Sequence, residues 1–171
     1  MTEIKIYVPG MPRPGGSKKG FYIKSIQRVV ITEDNKHSKD WRNSIAWAAH
    51  EQIKTPLSGP LEVHFAFLLP RPKGHFGTGR KAGVLRSSAP KYPTVKPDAT
   101  KLVRSTEDAM KGIAWIDDSQ VVRQLAEKQY SDRAGCWIRI RVIAEKEDTQ
   151  GVCAFAPNSE KVERQMGMRF L

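Results

Sequence analysis

Five acids crowd into one stretch of an otherwise basic chain. Lys and Arg number 29 against 18 Asp and Glu, a formal charge of +11. Between residues 98 and 118 stand Asp98, Glu107, Asp108, Asp117 and Asp118. Carboxylates that converge without enough cations between them repel one another, and a divalent cation relieves that repulsion. Mg²⁺ is commonly held by one or two carboxylates, with water and substrate phosphate oxygens filling its other positions. On a basic chain, that pattern points to metal-assisted hydrolysis of a phosphodiester. The same acids also have non-catalytic uses. Asp98 is a good helix cap, Asp117-Asp118 is turn chemistry, and Arg104 with Asp108 is an ordinary surface pair at i, i+4. Spacing alone leaves both uses open.

Position depends on the elements that carry these side chains. At roughly 100° per residue, Leu102, Val103, Thr106, Ala109, Met110 and Ile113 fall within one arc. Thr100, Arg104, Glu107, Asp108 and Lys111 fall on the opposite arc, which defines an amphipathic helix. Pro97 and Asp98 suit its start, and Gly112 its end. Asp117-Asp118 then opens a strand-like run from Val121 to Tyr130. Acids thus flank a helix-turn-strand unit and would meet if helix and strand packed side by side.

The stretch resembles the RusA family of Holliday junction resolvases, many of them phage-encoded. The family pattern is Asp-x-Asp-Asn-Leu-x-Lys, then Asp-Ala-Leu, then Asp-Asp-x-Gln-Val. Here it reads Asp98-Ala99-Thr100-Lys101-Leu102-Val103-Arg104, then Asp108-Ala109-Met110, then Asp117-Asp118-Ser119-Gln120-Val121. Weaker similarity runs from the N-terminal strand to about residue 144. The resemblance implies an endonuclease dependent on Mg²⁺ or Mn²⁺ that acts on four-way DNA junctions as a homodimer. It implies metal ligation by Asp98 and Asp118 with help from Asp117 or Asp108. Arg104 would stabilise charge developing on the phosphate. Two positions depart from the pattern: Thr100 stands where the family has Asp, and Arg104 where it has Lys. Glu107 lies seven residues from Thr100 on nearly the same face and is a candidate to supply the missing charge. If it does not, the chain is a junction-binding protein with weak or lost cleavage. A general basic nucleic-acid-binding protein, its acids serving as caps and turns, is the remaining reading.

The rest of the chain fits a polyanionic partner. Residues 70–97 contain Arg71, Lys73, Arg80, Lys81, Arg86, Lys91 and Lys96 without one acid, broken by four glycines and five prolines. A long loop of this kind is functional or disordered. Lys73, Arg80, Lys81, Arg86, Lys91 and Lys96, with Lys101, are the candidate DNA contacts. A Gly/Pro-rich connector at 9–20 carries Arg13, Lys18 and Lys19 but no phosphate-binding P-loop. Two cysteines, Cys136 and Cys153, and four histidines show no zinc spacing. No apolar run reaches membrane-spanning length and no signal peptide is evident, so a cytoplasmic location is expected.

Strands at Glu3–Val8, Leu61–Leu69, Val121–Tyr130 and Cys136–Ala144, a hairpin at Phe21–Ile31, and a helix ending near Ile53 complete the outline. That helix, capped by Ser38 or Asn35, offers Trp41, Ile45, Ala48, Ala49 and Ile53 as its apolar stripe, and Trp47 is read with Trp41 as a packing group. The expected architecture is α/β of the α+β type: a two-layer sandwich of a mixed sheet and two main helices, spanning 1–144. Residues 145–171 form an extension of unassigned role.

Overall fold

The computed structural model describes residues 3–15, 18–33 and 37–144. The expectations for the C-terminal extension and for Cys153 lie outside the described residues. Four strands form one mixed sheet: β1 (Glu3–Pro9), β4 (Leu61–Leu69), β5 (Val121–Tyr130) and β6 (Gly135–Val142), in the order β1-β6-β4-β5. β6 pairs antiparallel with β1 and β4, while β4 and β5 run parallel. A parallel neighbour needs a long crossover. Here the crossover is the basic loop plus α2 (Ala99–Met110), so the candidate site lies within the connection itself. β2 (Lys18–Ile23) and β3 (Arg28–Glu33) form a separate hairpin, turned by a single 3₁₀ turn and by Gln27 at φ 49°.

Alternation explains which face is covered. Leu61, Val63, Phe65 and Phe67 of β4 are fully buried, as are Ile6, Val8, Cys136 and Ile140, with Ile138 nearly so. They meet Trp41, Ile45 and Ala49 of α1 (Ser38–Gln52) and Leu102, Val103 and Met110 of α2 in one core. Both helices therefore cover the same face of the sheet, and the two-layer α+β sandwich follows. On the uncovered face polar side chains pair with one another. His64 Nε2 lies 3.0 Å from Glu127 Oε1, and Arg141 donates to Glu62 at 3.1 Å. Burial among apolar neighbours raises the Cys136 thiol pKa, and this cysteine is free. Among the described residues, no helix is long and apolar enough to cross a membrane.

Trp47 departs from its expected role. Trp41 is buried, but Trp47 is 74% exposed. The two are six residues apart, about 600° around the helix, which places them roughly 120° from each other. Only Trp41 shares the face of Ile45 and Ala49.

Candidate active site

α2 fulfils the predicted amphipathic pattern. Leu102, Val103, Ser105, Thr106 and Met110 are buried, and Thr106 Oγ1 donates back to the Leu102 carbonyl at 2.9 Å. The helix stops where Gly112 suggested: Met110 is its last residue, Lys111 its C-cap, and Gly112, at φ +79°, turns the chain, its amide donating to the Trp115 carbonyl at 2.7 Å. The N-terminal connector lies against this helix: the Gly15 amide donates to the Lys101 carbonyl at 3.0 Å. A Cβ on Gly15 would sit 3.1 Å from Ser105 Cβ, so any larger residue would have to push Ser105 aside.

Asp98 occupies the N-cap position, but its side chain caps nothing. Its carboxylate is half exposed, with Lys101 Nζ at 3.8 Å. At the other end, Asp117 builds the turn. It accepts from the Ser119 amide at 3.0 Å, and Gln120 Oε1 accepts from the amides of Ile116 and Asp117. Gln120 Nε2 in turn donates to the Leu57 carbonyl at 3.0 Å, tying the turn to the body. Lys111 Nζ lies 2.7 Å from Asp117 Oδ2, and this hydrogen bond chiefly holds the Asp117 carboxyl well below the usual carboxylate range.

Asp118 is held differently. Its Oδ1 accepts from the indole N–H of buried Trp115 at 2.9 Å, and its Oδ2 lies 3.9 Å from Lys111 Nζ. The other oxygen therefore faces partly outward from a fixed carboxylate. Trp115 carried no polar signal in the sequence; only its position, three residues before Asp118, hinted at this role.

Helix α2 and strand β5 do pack side by side, but in opposite directions. Lys128, late in the strand, donates to the carbonyls of Val95 at 2.9 Å and Pro97 at 3.0 Å, just before the helix begins. Gln124, earlier in the strand, donates to Glu107 Oε1 near the helix end. Lys128 thus secures the loop leading into Asp98. The antiparallel arrangement brings Asp118 toward Glu107 and Asp108 and leaves Asp98 at the far end of a helix about 18 Å long. Among the described residues, no three His, Cys, Asp or Glu side chains gather into a metal-holding group.

Glu107 registers the acidic end. Burial first, then the charges of Asp118 and Asp108, push its pKa up, and the bond from Gln124 only partly opposes them. A carboxyl whose pKa is raised on folding stabilises the fold most below its unfolded pKa. That advantage is lost as pH rises through the folded value. Glu107→Gln is therefore expected to melt above the wild type near about pH 8. The gap should close below about pH 4, where both states are protonated. Thermal unfolding across that range reads it, and a gap independent of pH would remove the electrostatic cause.

The basic loop is folded rather than structureless. Two 3₁₀ turns, Lys73–His75 and Gly79–Lys81, and bridges between Phe76 and Leu85 and between Gly77 and Ala82 organise it. Arg71 stacks over the Tyr130 ring at 4.4 Å and donates to the Pro90 carbonyl at 2.9 Å. Arg86 Nε donates to the Phe76 carbonyl at 2.9 Å. Of the candidate DNA contacts, Arg86 thus also braces the loop. Lys73, Arg80, Lys81 and Lys96 are exposed, Lys91 stands over Tyr92 at 5.3 Å, and Lys101 sits beside Asp98. Arg104 is exposed and, among the described residues, forms no ion pair with Asp108.

A family model for the endodeoxyribonuclease RusA matches residues 8–141, from the first core strand through the last. The chain belongs to the RusA family. That places it among junction-resolving endodeoxyribonucleases, and the Asp98–Gln120 motif falls inside the match. An uncharacterised Bacillus subtilis protein, YqaN (strain 168), is 30% identical over 151 residues, covering 84% of this chain and 99% of that protein.

Proposed function

We propose that this RusA-family chain is a structure-selective endonuclease that cuts four-way DNA junctions in the presence of Mg²⁺ or Mn²⁺ and acts as a homodimer. The observation that supports this most is the Asp118 carboxylate, fixed by Trp115 at the edge of an acidic patch on a strongly basic chain. The donor set is all oxygen, which suits a hard cation. Yet Asp98 stands apart from Asp118, so one chain as folded does not close a metal site around the two. Asp117 is committed to its turn and to Lys111, which favours Asp118, Glu107 and Asp108 as the charge-bearing groups at this end.

Each remaining residue has a role that its own geometry supports. Exposed Lys73, Arg80, Lys81, Lys91 and Lys96 seat phosphates without reading bases. Every phosphate so neutralised on duplex arms would add about 0.9 to the salt slope of binding. Arg104, with no carboxylate partner among the described residues, is available to negative charge building on the scissile phosphate. Glu107 carries the charge that Thr100 does not. If Glu107→Gln cuts at the wild-type rate, that assignment is wrong.

A labelled synthetic junction incubated with Mg²⁺, beside linear duplex of the same sequence, tests the reading. Paired symmetric nicks on the junction alone are the expected result. Tight, salt-sensitive junction binding without nicks, in Mn²⁺ as well, would replace it with a binding protein disabled at Thr100. Equal behaviour on junction and linear duplex would refute both.

A further inference from the structure

One element of the fold takes no part in its core. β2 and β3 pair only with each other, and none of their side chains joins the cluster that holds the sheet to the helices. A two-stranded ribbon alone is marginal in water. This one nevertheless carries apolar side chains on both faces. Cross-strand pairing puts Tyr22, Val29 and Ile31 on one face, 61%, 63% and 65% exposed, and Phe21, Ile23 and Val30 on the other. Ile26 stands exposed in the turn between the strands. Exposed apolar groups gathered in this way mark a surface used for contact.

The charge of the ribbon narrows what that contact is with. From Lys18 to Ile31 the sequence holds Lys18, Lys19, Lys24 and Arg28 and no acid. Lys24 and Arg28 flank the turn, are exposed, and have no carboxylate partner among the described residues. A second copy of the same ribbon would set like charges against each other. A nucleic acid supplies both missing partners: phosphates for the cations, and flat apolar base faces for Tyr22 and Ile26. An intact duplex keeps its base faces stacked away. At a branch point the stacking is interrupted, and bases there are the easiest to unstack.

We propose that the β2–β3 hairpin is a wedge for the centre of a four-way junction. Ile26 and Tyr22 insert against unstacked bases, and Lys24 and Arg28 hold the phosphates beside them. The inference rests on the junction reading above and adds to it the element that tells a junction from a duplex. Apolar wedges between base steps are a general device for opening DNA. The root of the ribbon is placed for this role. Gly15 is hydrogen-bonded to Lys101 in the first half of α2, the half that follows Asp98 and carries Arg104. β2 begins at Lys18, so its start lies within about 11 Å of Gly15. The wedge is thus anchored beside residues proposed to act on the phosphate.

Full-length protein without divalent metal is titrated into a junction carrying 2-aminopurine at the branch point, and into a duplex carrying it at the same sequence position. Unstacking makes this base fluoresce. The wild type should raise the junction signal severalfold and leave the duplex signal flat. Ile26→Ser/Tyr22→Ala should lose that rise and about tenfold of the preference for junction, with duplex affinity kept within about twofold. Its melting temperature should match the wild type, because the ribbon lies outside the core. Lys24→Ala/Arg28→Ala should lower the salt slope of junction binding by about 1.5. A wild type that leaves the branch point stacked would overturn the inference. So would an Ile26/Tyr22 variant that keeps the rise and the preference, or one that loses junction and duplex binding alike. Val29→Arg/Ile31→Arg tests the competing occupant. Half the wild-type mass in sedimentation would mean that a second copy covers the ribbon and would refute the wedge; an unchanged mass leaves the ribbon to DNA. Unstacking without a nick in Mg²⁺ or Mn²⁺ would uphold the wedge and refute the nuclease reading. Nicking of a junction whose centre stays stacked would do the reverse.

Discussion

Asp118→Asn is expected to abolish junction nicking while leaving junction binding at least as tight as in the wild type. The substitution is nearly isosteric. An Asn oxygen still accepts the Trp115 indole N–H that now reaches Asp118 Oδ1 at 2.9 Å, so the turn and the core under it stay as they are. Only the negative charge is lost. If that charge serves the chemical step, removing it costs several kcal/mol of transition-state stabilisation, about 10³-fold in rate. Binding responds in the opposite direction. One fewer anion on a chain of charge +11 reduces repulsion toward the phosphate backbone. Single-turnover nicking and a gel-shift titration on the same junction separate the two effects. Wild-type nicking in the variant would remove Asp118 from the chemistry.

Trp115→Phe should separate the support of Asp118 from the support of the fold. Trp115 is fully buried, bridges to Leu57 and Lys111 through its backbone, and spends its only side-chain donor on Asp118. Phe retains most of the apolar volume but offers no N–H. The expected stability loss is about 1–2 kcal/mol, combining a small cavity with a lost hydrogen bond to a charged group. Trp115→Ala should cost about 3–5 kcal/mol through the cavity alone. The distinguishing result lies in the kinetics. Trp115→Phe should lower kcat by about tenfold or more with little change in KM, because a carboxylate free to rotate is out of position most of the time. If kcat holds while the melting temperature falls, Trp115 is a core residue and nothing more.

How much of this was legible beforehand depends on the range of each interaction. α2 could be read from Leu102, Val103, Thr106 and Met110 because helical period is local. β4 and β5 were found at their full lengths because alternation over nine or ten residues has no helical equivalent. The motif residues were legible too, since their types and order survive without coordinates. The end of α2 was legible as well, since Gly112, at φ +79°, stands one residue past the Lys111 cap, where a left-handed residue stops a helix. Trp47 went astray because a helix buries only the arc that meets its neighbours.

The sequence by itself determined the element order, the basic loop, the acidic motif and the family to which that motif belongs. Tertiary structure alone decided which acids share a neighbourhood. Adjacency in the motif put Asp98 and Asp118 in one frame, but the antiparallel run of α2 and β5 sends them to opposite ends of the helix. It also assigned Lys128 to the loop carbonyls, Asp117 to its own turn and Trp115 to Asp118. Such pairings join residues whose separation along the chain says nothing of their separation in space, so no local pattern encodes them.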